Sequence, residues 1–330
     1  MKFVFVGDVM LGRLVNELLE KEPPEHPWGD TLSLFRSADV RFANLECVIA
    51  DQGSPWSQTP KTFHFRSDAK NVAVLKAAGI DCVSLANNHT LDYGYEAMIE
   101  MLDTLDRETI HHAGAGSTIQ DAARPAIFKQ NDMTIGFISF TDNEPPWEAT
   151  SSTAGVLHVP VNPEDDRAQA LLEHVSRVKN RVDWLIVSAH WGPNWGDQPQ
   201  PWHKPFAHAL VDHGADFVFG HSCHVFQGIE LYKSRPIFYS CGDFVDDYRV
   251  DENERNDQSF VFVVEAEGHH VLRIRLYPTV IRHFQARRAR TREANFIAHR
   301  MQQLCDELKT GAFWDYRAGC LDIPVSVAVW

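Results

Sequence analysis

Six side chains that can bind a metal ion are spread along the chain, and most of them follow an apolar run that predicts a buried strand. They are Asp8, Glu46, Asn88, His190, His221 and His224. In an open α/β sheet, polar side chains at the carboxyl ends of the strands collect in one crevice. Oxygen and imidazole donors in this number predict a metal site there, and its size favours two ions.

Taken singly, each candidate also has an ordinary structural explanation. Asp8 could cap a helix, Glu46 could be a solvated loop carboxylate, and His190 could be a satisfied histidine of the core. His221 and His224 lie three residues apart, and two imidazoles at this spacing can reach one centre from a loop. The convergence of the whole set at strand ends, rather than any one member, favours a functional site.

The stretch ANNHTLDYG contains a specific local pattern. It places an amide, an imidazole and a carboxylate (Asn88, His89 and Asp92) within five residues after a predicted strand. An asparagine-rich turn would explain Asn87 and Asn88. It would not explain a histidine with an aspartate three residues later, so this stretch predicts chemistry as well as structure.

Short strands and amphipathic helices alternate in the first half of the chain. The predicted strands there are 2–7, 38–43 and 81–85, with helices from Leu11, at 69–78 and at 95–105. After Arg124 the strands follow one another with less helix between them. We expect an α/β fold with a parallel sheet from the first half, a more antiparallel sheet from the second half, and helices outside each. No linker divides the chain, so 1–330 is predicted to be a single domain, with 268–330 a C-terminal strand and helix extension.

Composition limits the classes of protein to consider. The chain has 330 residues, 44% of them hydrophobic, which suffices for a large core. No apolar run approaches the roughly 20 residues of a membrane-spanning helix, and Asp8 interrupts the first apolar stretch too early for a secretory signal. Six cysteines without a CxxC pair make a disulfide framework unexpected. We therefore expect a cytoplasmic protein without a membrane segment.

The charge of the chain is strongly acidic but uneven. A net charge of −14 argues against nucleic acid as a partner, because phosphate binding requires a basic surface. Residues 271–300, however, contain eight arginines and one acid, a net charge of +7. This block could receive an acidic partner, or it could be a solvated helix face.

At these residues the sequence resembles the CapA-type poly-γ-glutamate capsule proteins, a family within the calcineurin-like metallophosphoesterases. The matching stretches are GDVMLGR, FANLECVI, SLANNHTLDYG, HHAGAGST, LIVSAHWG, VDHGADFVFGHSCHVFQGIE and IFYSCGDF. The resemblance implies a four-layer α/β/β/α sandwich of the metallophosphoesterase type. It also implies a dinuclear centre whose ligands match the six residues named above, with His89 stabilising the transition state or protonating the leaving group.

Three departures from the superfamily pattern affect the expected ligands. The Asp-x-His opening reads Asp8-Val9-Met10, which removes an imidazole. The bridging aspartate is matched by Glu46, and the GHxH element is widened to GHSCH. We therefore expect the two metal positions to bind ions with different affinities.

The resemblance implies metal-assisted hydrolysis by two divalent ions (Mn, Fe or Zn) bridged by Glu46 and a water. His89, oriented by Asp92, would act as general acid. An anionic substrate could be held by basic side chains in or beside the site loops, which could equally be surface charges; they are Arg13, Lys61, His64 and Arg66. Trp191 and Tyr239 are predicted to form apolar walls.

The substrate is left open by the sequence. The superfamily implies a phosphoester, whereas the capsule family implies a γ-glutamyl amide or a polyglutamate chain. The alternative is a non-catalytic accessory protein that binds polyglutamate or a ligase partner during capsule synthesis. Either interpretation allows for capsule-synthesis partner proteins.

Overall fold

Helices enclose two β-sheets in this protein, whose computed structural model describes residues 1–325. In chain order the strands are β1 (Lys2–Val9), β2 (Val40–Leu45), β3 (Val48–Ile49), β4 (Arg66–Ser67), β5 (Cys82–Ser84), β6 (His111–Ala113), β7 (Ala115–Gly116), β8 (Ala126–Gln130), β9 (Met133–Thr141), β10 (Gly155–Val156), β11 (Trp184–His190), β12 (Phe217–His221), β13 (Ile229–Tyr232), β14 (Arg235–Phe238), β15 (Asp243–Val245), β16 (Gln258–Glu267), β17 (His270–Arg282), β18 (Gln285–Arg288), β19 (Phe313–Asp315) and β20 (Cys320–Pro324). The α-helices are α1 (Arg13–Leu18), α2 (Leu32–Arg36), α3 (Val72–Ala78), α4 (Gly94–Arg107), α5 (Ile119–Ala122), α6 (Asp166–Lys179), α7 (His203–Asp212) and α8 (Thr291–Glu307).

The first sheet joins strands from both halves of the chain. Its order is β19-β20-β17-β16-β1-β2-β5-β6, with β15 beside the end of β1 and β18 beside β17. The strands β1, β2, β5 and β6 pair in parallel, whereas β16 pairs antiparallel with β1 and with β17. Strand β1 therefore lies in the middle of its sheet, between β16 and β2.

The second sheet has the order β13-β14-β12-β11-β9-β8, and its four central strands are parallel. The prediction that the two halves of the chain form a parallel and an antiparallel sheet is therefore wrong. The antiparallel strands β16 and β17 complete the first sheet instead. An apolar run indicates that a strand is buried, but it does not indicate which strand it pairs with.

Alternate side chains along each central strand fill two different layers. Phe5 of β1 points between the sheets, whereas Val6 packs under the helices on the outer face. Trp184 and Leu185 of β11 divide in the same way. Strands buried on both faces read as continuous apolar runs, which explains why these segments lack polar alternation.

Phenylalanine rings join the two sheets. Phe5 and Phe42 of the first sheet stack with 5.0 Å between ring centroids, and Phe42 lies 5.4 Å from Phe137 of the second sheet. Phe5 also contacts Phe217, at 5.5 Å. Aromatic pairs of this kind contribute about 0.5–1.5 kcal/mol each beyond the burial of their area. This aromatic layer fixes the two sheets relative to each other, and hence the two sides of the site.

Helices cover the outer face of each sheet. Leu75 of α3 and Met101 of α4 pack on the first sheet, and Leu171 of α6 and Phe206 of α7 pack on the second. The molecule is thus an α/β/β/α sandwich of four layers, as the resemblance implied. Among the described residues, no helix is long and apolar enough to cross a membrane.

The C-terminal segment contributes to the same layers. β17 pairs with β16 along most of its length, and α8 places Ile297 and Met301 in the core between the sheets, together with Phe3. Residues 268–325 therefore complete the first sheet. Residues 326–330 of the predicted extension lie outside the described residues.

The arginine-rich block 271–300 lies on β17, on β18 and at the start of α8. Several of its cations are paired with acids: Arg282 lies 2.7 Å from Glu293, and Arg290 lies 3.1 Å from Asp30. The interpretation of this block as one solvated helix face is wrong. Its arginines come mostly from strands, and part of their charge is neutralised within the chain.

Candidate metal centre

Strand register brings the carboxylates of the first sheet together. Asp8 of β1 lies opposite Asn44 of β2 on one side and opposite Asp243 of β15 on the other. Asn44 donates a hydrogen bond from Nδ2 to Asp8 Oδ1 at 2.8 Å, and Glu46 follows β2 directly. Three acids therefore reach the end of one sheet from neighbouring strands.

The second sheet supplies the histidines in the same way. His190 and His221 end the adjacent strands β11 and β12 and lie side by side in register. Their Nδ1 atoms are 2.8 Å apart, and His221 Nε2 is 2.6 Å from the hydroxyl of Ser188. The serine thus holds the far nitrogen of His221, which directs Nδ1 towards the space between the sheets.

Two overlapping groups of donors lie close enough together to hold cations. The first contains Asp8, His190 and His221, and the second contains Asp8, Glu46, His224 and Asp243. Donor atoms within each group lie within 4.8 Å of one another. Asp8 belongs to both groups, which gives it the position of a shared ligand. Asp243 Oδ1 lies 3.0 Å from His224 Nδ1.

Burial perturbs the ionisation of these groups. It raises the pKa of Asp8 to about 7, and burial together with the nearby Asp8 carboxylate raises the pKa of Glu46 and of Asp243 well above the ordinary range. Burial also lowers the pKa of His221 to about 3 and that of His190 well below its ordinary value. A divalent cation would bind the imidazoles in their neutral form, and it would replace the protons of the carboxyl groups.

Three buried polar atoms at the centre have no hydrogen-bond partner among the described residues. They are Asp8 Oδ2, Asn88 Oδ1 and His190 Nε2. The carboxyl groups of Asp243 and Asp246 lie within hydrogen-bonding distance of each other. Leaving one buried polar atom unpaired costs about 1–3 kcal/mol, so the three together require another explanation. Divalent cations bound by oxygen and nitrogen would provide it. The residues present therefore fit the ions that the resemblance implies.

His89 lies beside this centre and is held by Asp92. Its Nδ1 is 2.6 Å from Asp92 Oδ2, and its ring stacks on Phe65 with 4.1 Å between centroids. The backbone N–H of Phe65 donates to the same Asp92 oxygen at 2.7 Å. Burial lowers the pKa of His89, and the Asp92 carboxylate opposes this shift. Because Nδ1 is occupied, Nε2 is the nitrogen available to a substrate.

Lys61 lies behind the His89–Asp92 pair. Its Nζ is 3.6 Å from Asp92 Oδ1 and 3.0 Å from Glu144 Oε1, and only 6% of its side chain is exposed. The ammonium also lies 4.8 Å from the centre of the Trp147 ring. Lys61 therefore contacts Asp92 and is not among the residues that line the cleft.

The other three basic residues named from the sequence differ in position. His64 is bound through Nε2 to the carbonyl oxygen of Trp56 at 3.0 Å, and the Arg66 guanidinium lies 4.5 Å from the centre of the Tyr93 ring. Arg13 lines the cleft next to His89. Of the four predicted anion contacts, Arg13 is therefore the one placed at the cleft.

Trp191 and Tyr239 do not form walls of this cleft. Both are buried in the core between the second sheet and its helices, where Trp191 Nε1 donates to the Tyr239 carbonyl oxygen at 2.9 Å. The Tyr239 hydroxyl donates to Glu230 at 2.6 Å. Both side chains point to the outer face of the sheet, so other residues take the role predicted for them. The aromatic wall is formed by Phe63, Phe65, Trp195 and Tyr248.

Asp243, which follows Gly242 in the SCGDF stretch, was considered from the sequence only as a residue that could complete the ligand shell. Several other residues of the centre were missed. Asp246 is buried beside Asp243, and Tyr248 places its hydroxyl 3.5 Å from Glu46 Oε2. Trp195 lies in a loop without periodicity, and nothing in its local sequence indicates the cleft.

Comparison with known proteins identifies relatives over most of the chain. The family model for the bacterial capsule synthesis protein PGA_cap matches residues 2–248. The PGA biosynthesis protein CapA of Bacillus subtilis is 33% identical over 245 residues, which cover 74% of this chain and 62% of that protein. A probable polyglutamine synthesis accessory protein of Mycobacterium tuberculosis is 30% identical over 290 residues, 84% of this chain and 76% of that protein.

Among solved structures, a novel phosphatase of Mycoplasma pneumoniae aligns with a TM-score of 0.48 and 13% identity, covering 87% of this chain and 91% of that one. The chain spans less than two thirds of the length of the B. subtilis relative. All six predicted ligands lie within the range matched by the family model, whereas β16 to β20 and α8 follow it.

Proposed function

Because the chain belongs to the bacterial capsule synthesis protein family PGA_cap, we propose that it is a metal-dependent hydrolase of a phosphoester or a γ-glutamyl bond. The observation that carries this proposal is the convergence of unpaired buried donors at the ends of both sheets. A purely structural role would have no use for so many buried ligand atoms without partners.

The proposed ligands of two divalent ions (Mn, Fe or Zn) are Asp8, Glu46, Asn88, His190, His221 and His224, joined by Asp243. Mixed oxygen and imidazole donors suit these metals. When bound, such ions lower the pKa of an attacking water and polarise the oxygen of the scissile group. The surrounding chain excludes bulk water, because most of these side chains are buried.

The chain's own residues then handle the proton and the substrate. His89 is proposed to give a proton from Nε2 to the leaving atom, while Asp92 holds Nδ1 and fixes the ring orientation. Arg13 is proposed to bind an anionic group of the substrate, because its guanidinium lines the cleft and is oriented by Asp247 at 3.1 Å. Lys61 is proposed to keep Asp92 in place.

A metal analysis combined with a substrate screen tests this function. The protein should be stripped, reloaded with Mn²⁺, Fe²⁺ or Zn²⁺, and assayed with phosphomonoesters, phosphodiesters and γ-glutamyl amides. We expect one or two ions per chain and hydrolysis that depends on them. His221→Ala should lower the metal content while the circular dichroism spectrum stays unchanged. Folded protein that binds no metal in any of the three forms would contradict the proposal.

A non-catalytic role in capsule synthesis is the second candidate. This candidate is favoured by the M. tuberculosis relative, which is named as a probable accessory protein of polyglutamine synthesis. In this case the protein would bind polyglutamate or a synthesis partner protein. Metal binding without hydrolysis of any substrate in the screen, together with binding of polyglutamate, would favour this alternative.

A further inference from the structure

The cleft in front of the His89–Asp92 pair has an aromatic rim. Phe63 and Trp195 line this cleft while 59% and 45% of their surfaces, respectively, remain exposed. Exposed apolar rings beside a concave polar site are typical of small-molecule binding. The cavity measures about 330 Å³, which suits one small molecule rather than a folded partner.

The rings of the rim form a continuous series of contacts. Phe63 contacts Phe65 at 6.3 Å, and Phe65 contacts Tyr248 at 5.5 Å. Tyr248 then contacts His224 at 5.0 Å, and His224 contacts Trp195 at 5.3 Å. The two exposed rings are therefore the ends of one connected aromatic surface that passes over a candidate metal ligand. A flat group held by either end stays within reach of the reacting atoms.

The charge at the rim is small. Arg13 and Arg249 are the cations that line the cleft, and its lining residues, all within the described part of the chain, include neither a lysine nor a carboxylate. Asp247 already engages Arg13. A polycarboxylate chain would require a series of cations along its path. Two arginines and four aromatic rings suit one anionic group attached to a flat ring.

We infer that the substrate is a phosphoester whose alcohol portion carries a flat aromatic ring, and that Phe63 and Trp195 hold this ring by stacking. This inference rests on the proposed hydrolase function and selects the phosphoester within it. In the reaction, the oxygen of a water bonds to phosphorus and the bond from phosphorus to the ester oxygen breaks. The ester oxygen leaves with a proton, as the ring-bearing alcohol. No oxidant or further reactant is needed.

Matched substrate pairs isolate the contribution of the ring. Adenosine 5′-monophosphate and ribose 5-phosphate both break the ester bond to the primary 5-oxygen of a ribose, and their leaving alcohols differ in the base. Benzyl phosphate and propyl phosphate are a second pair, of which the first carries a phenyl ring. With Mn²⁺-loaded protein we expect kcat/KM to be at least about tenfold higher for the ring-bearing member of a pair, the usual scale of one stacking contact. Equal kcat/KM within both pairs would overturn the inference.

Two variants test which rings are responsible. Trp195→Ala and Phe63→Ala should each lower kcat/KM about tenfold for the ring-bearing substrates and leave the ringless ones unchanged. Trp202→Ala and Phe313→Ala are matched controls, because these rings are 48% and 62% exposed and do not line the cleft. An equal loss of kcat/KM for both members of a pair would show that the rim supports the site without contacting the ring of the substrate. That result would contradict the inference.

A binding measurement separates this inference from the proposed function. Equilibrium dialysis of adenosine 5′-monophosphate and ribose 5-phosphate against the metal-loaded protein does not require turnover. If the nucleotide binds more tightly than ribose 5-phosphate, and Trp195→Ala removes this difference, the ring contact is supported. This holds even if neither compound is hydrolysed, in which case only the hydrolase proposal fails. Hydrolysis and binding that both lack a preference for the ring would overturn the inference alone.

Discussion

The space between the two sheets has opposite chemistry in its middle and at the end that contains the candidate site. Its middle is filled by rings such as Phe5, Phe42 and Phe217, all without exposed surface. At the carboxyl ends of the same strands it is filled by Asp8 and His221, which are equally buried. Burial stabilises the aromatic region and destabilises the site until its charges are satisfied. The aromatic region thus stabilises the fold, and this stability offsets the cost of burying the charged groups of the site.

The largest expected effect lies at the site and leaves the aromatic region untouched. His89→Ala should lower turnover about 10²–10⁴-fold, because a positioned proton donor is lost. Metal content should change little, since His89 is proposed outside the ligand shell. Steady-state kinetics measures the turnover, and elemental analysis measures the metal content.

A second histidine–aspartate pair offers the control for this variant. His112 and Asp106 lie 3.1 Å apart away from the cleft, so His112→Ala should retain full turnover. Full turnover in His89→Ala would remove His89 from the mechanism and weaken the contrast between the two regions.

The aromatic region should show the opposite behaviour. Phe42→Ala removes a fully buried ring that joins the sheets, and we expect a loss of about 3–5 kcal/mol in the free energy of unfolding. Urea denaturation of the metal-free protein measures it. Phe313→Ala, at 62% exposure, should stay within about 0.5 kcal/mol of the parent protein. A loss below about 1 kcal/mol in Phe42→Ala would show that the sheets are held together elsewhere.

Removing a site charge should affect metal binding and stability in opposite directions. Asp243→Asn should weaken metal binding by about 10–100-fold, the scale typical of losing one supporting group at a metal site. It should also raise the stability of the metal-free protein at pH 7, because burial disfavours the ionised Asp243 carboxylate, whose pKa is raised. Asp165→Asn, at the partly exposed N-cap of α6, is the control and should not change metal affinity. A metal-free Asp243→Asn protein less stable than the parent would contradict this account.

The smallest expected effect is a pH dependence confined to the site. The pKa of Asp8 is raised to about 7 in the metal-free protein, so protons compete with the metal below that pH. Affinity should therefore fall as the pH is lowered from 8 to 6, by up to about tenfold per unit. Calorimetry in buffers of different ionisation heat should detect proton release on binding at pH 6. The Phe42→Ala substitution removes no titrating group, so the loss of stability that it causes should be the same at pH 8 and pH 6. A metal affinity that does not change with pH would contradict the assignment of Asp8 as a ligand.

The sequence indicated the layers better than the pairing of strands. Runs such as Phe3–Val6 and Trp184–Val187 are apolar on both faces, so a buried strand covered on both sides was the physical expectation. The position of β16 beside β1 depends on contacts between residues far apart in the chain. No local pattern encodes them, and β16 and β17 were therefore assigned to the wrong sheet.

The site was predictable where ligands end strands. Asp8, His190 and His221 do so, and strand register then determines that they meet. Asp243 ends no long strand, and Trp195 lies in a loop whose path is set by tertiary contacts. Trp191 was predicted to form a wall of the cleft. It follows His190 directly, and successive side chains of an extended segment point in opposite directions, so the Trp191 side chain lies in the core.

The central position of β1 has a consequence for the biosynthesis of the protein. Its edge along Lys2–Phe5 is paired by β16, residues 258–267, which leave the ribosome long after β1 and after both strands that end in histidine ligands. Until then that edge carries unpaired N–H and C=O groups, a surface that readily recruits foreign strands. We therefore expect a chain truncated before residue 258 to aggregate more readily than the full chain, because this edge of β1 has no partner strand.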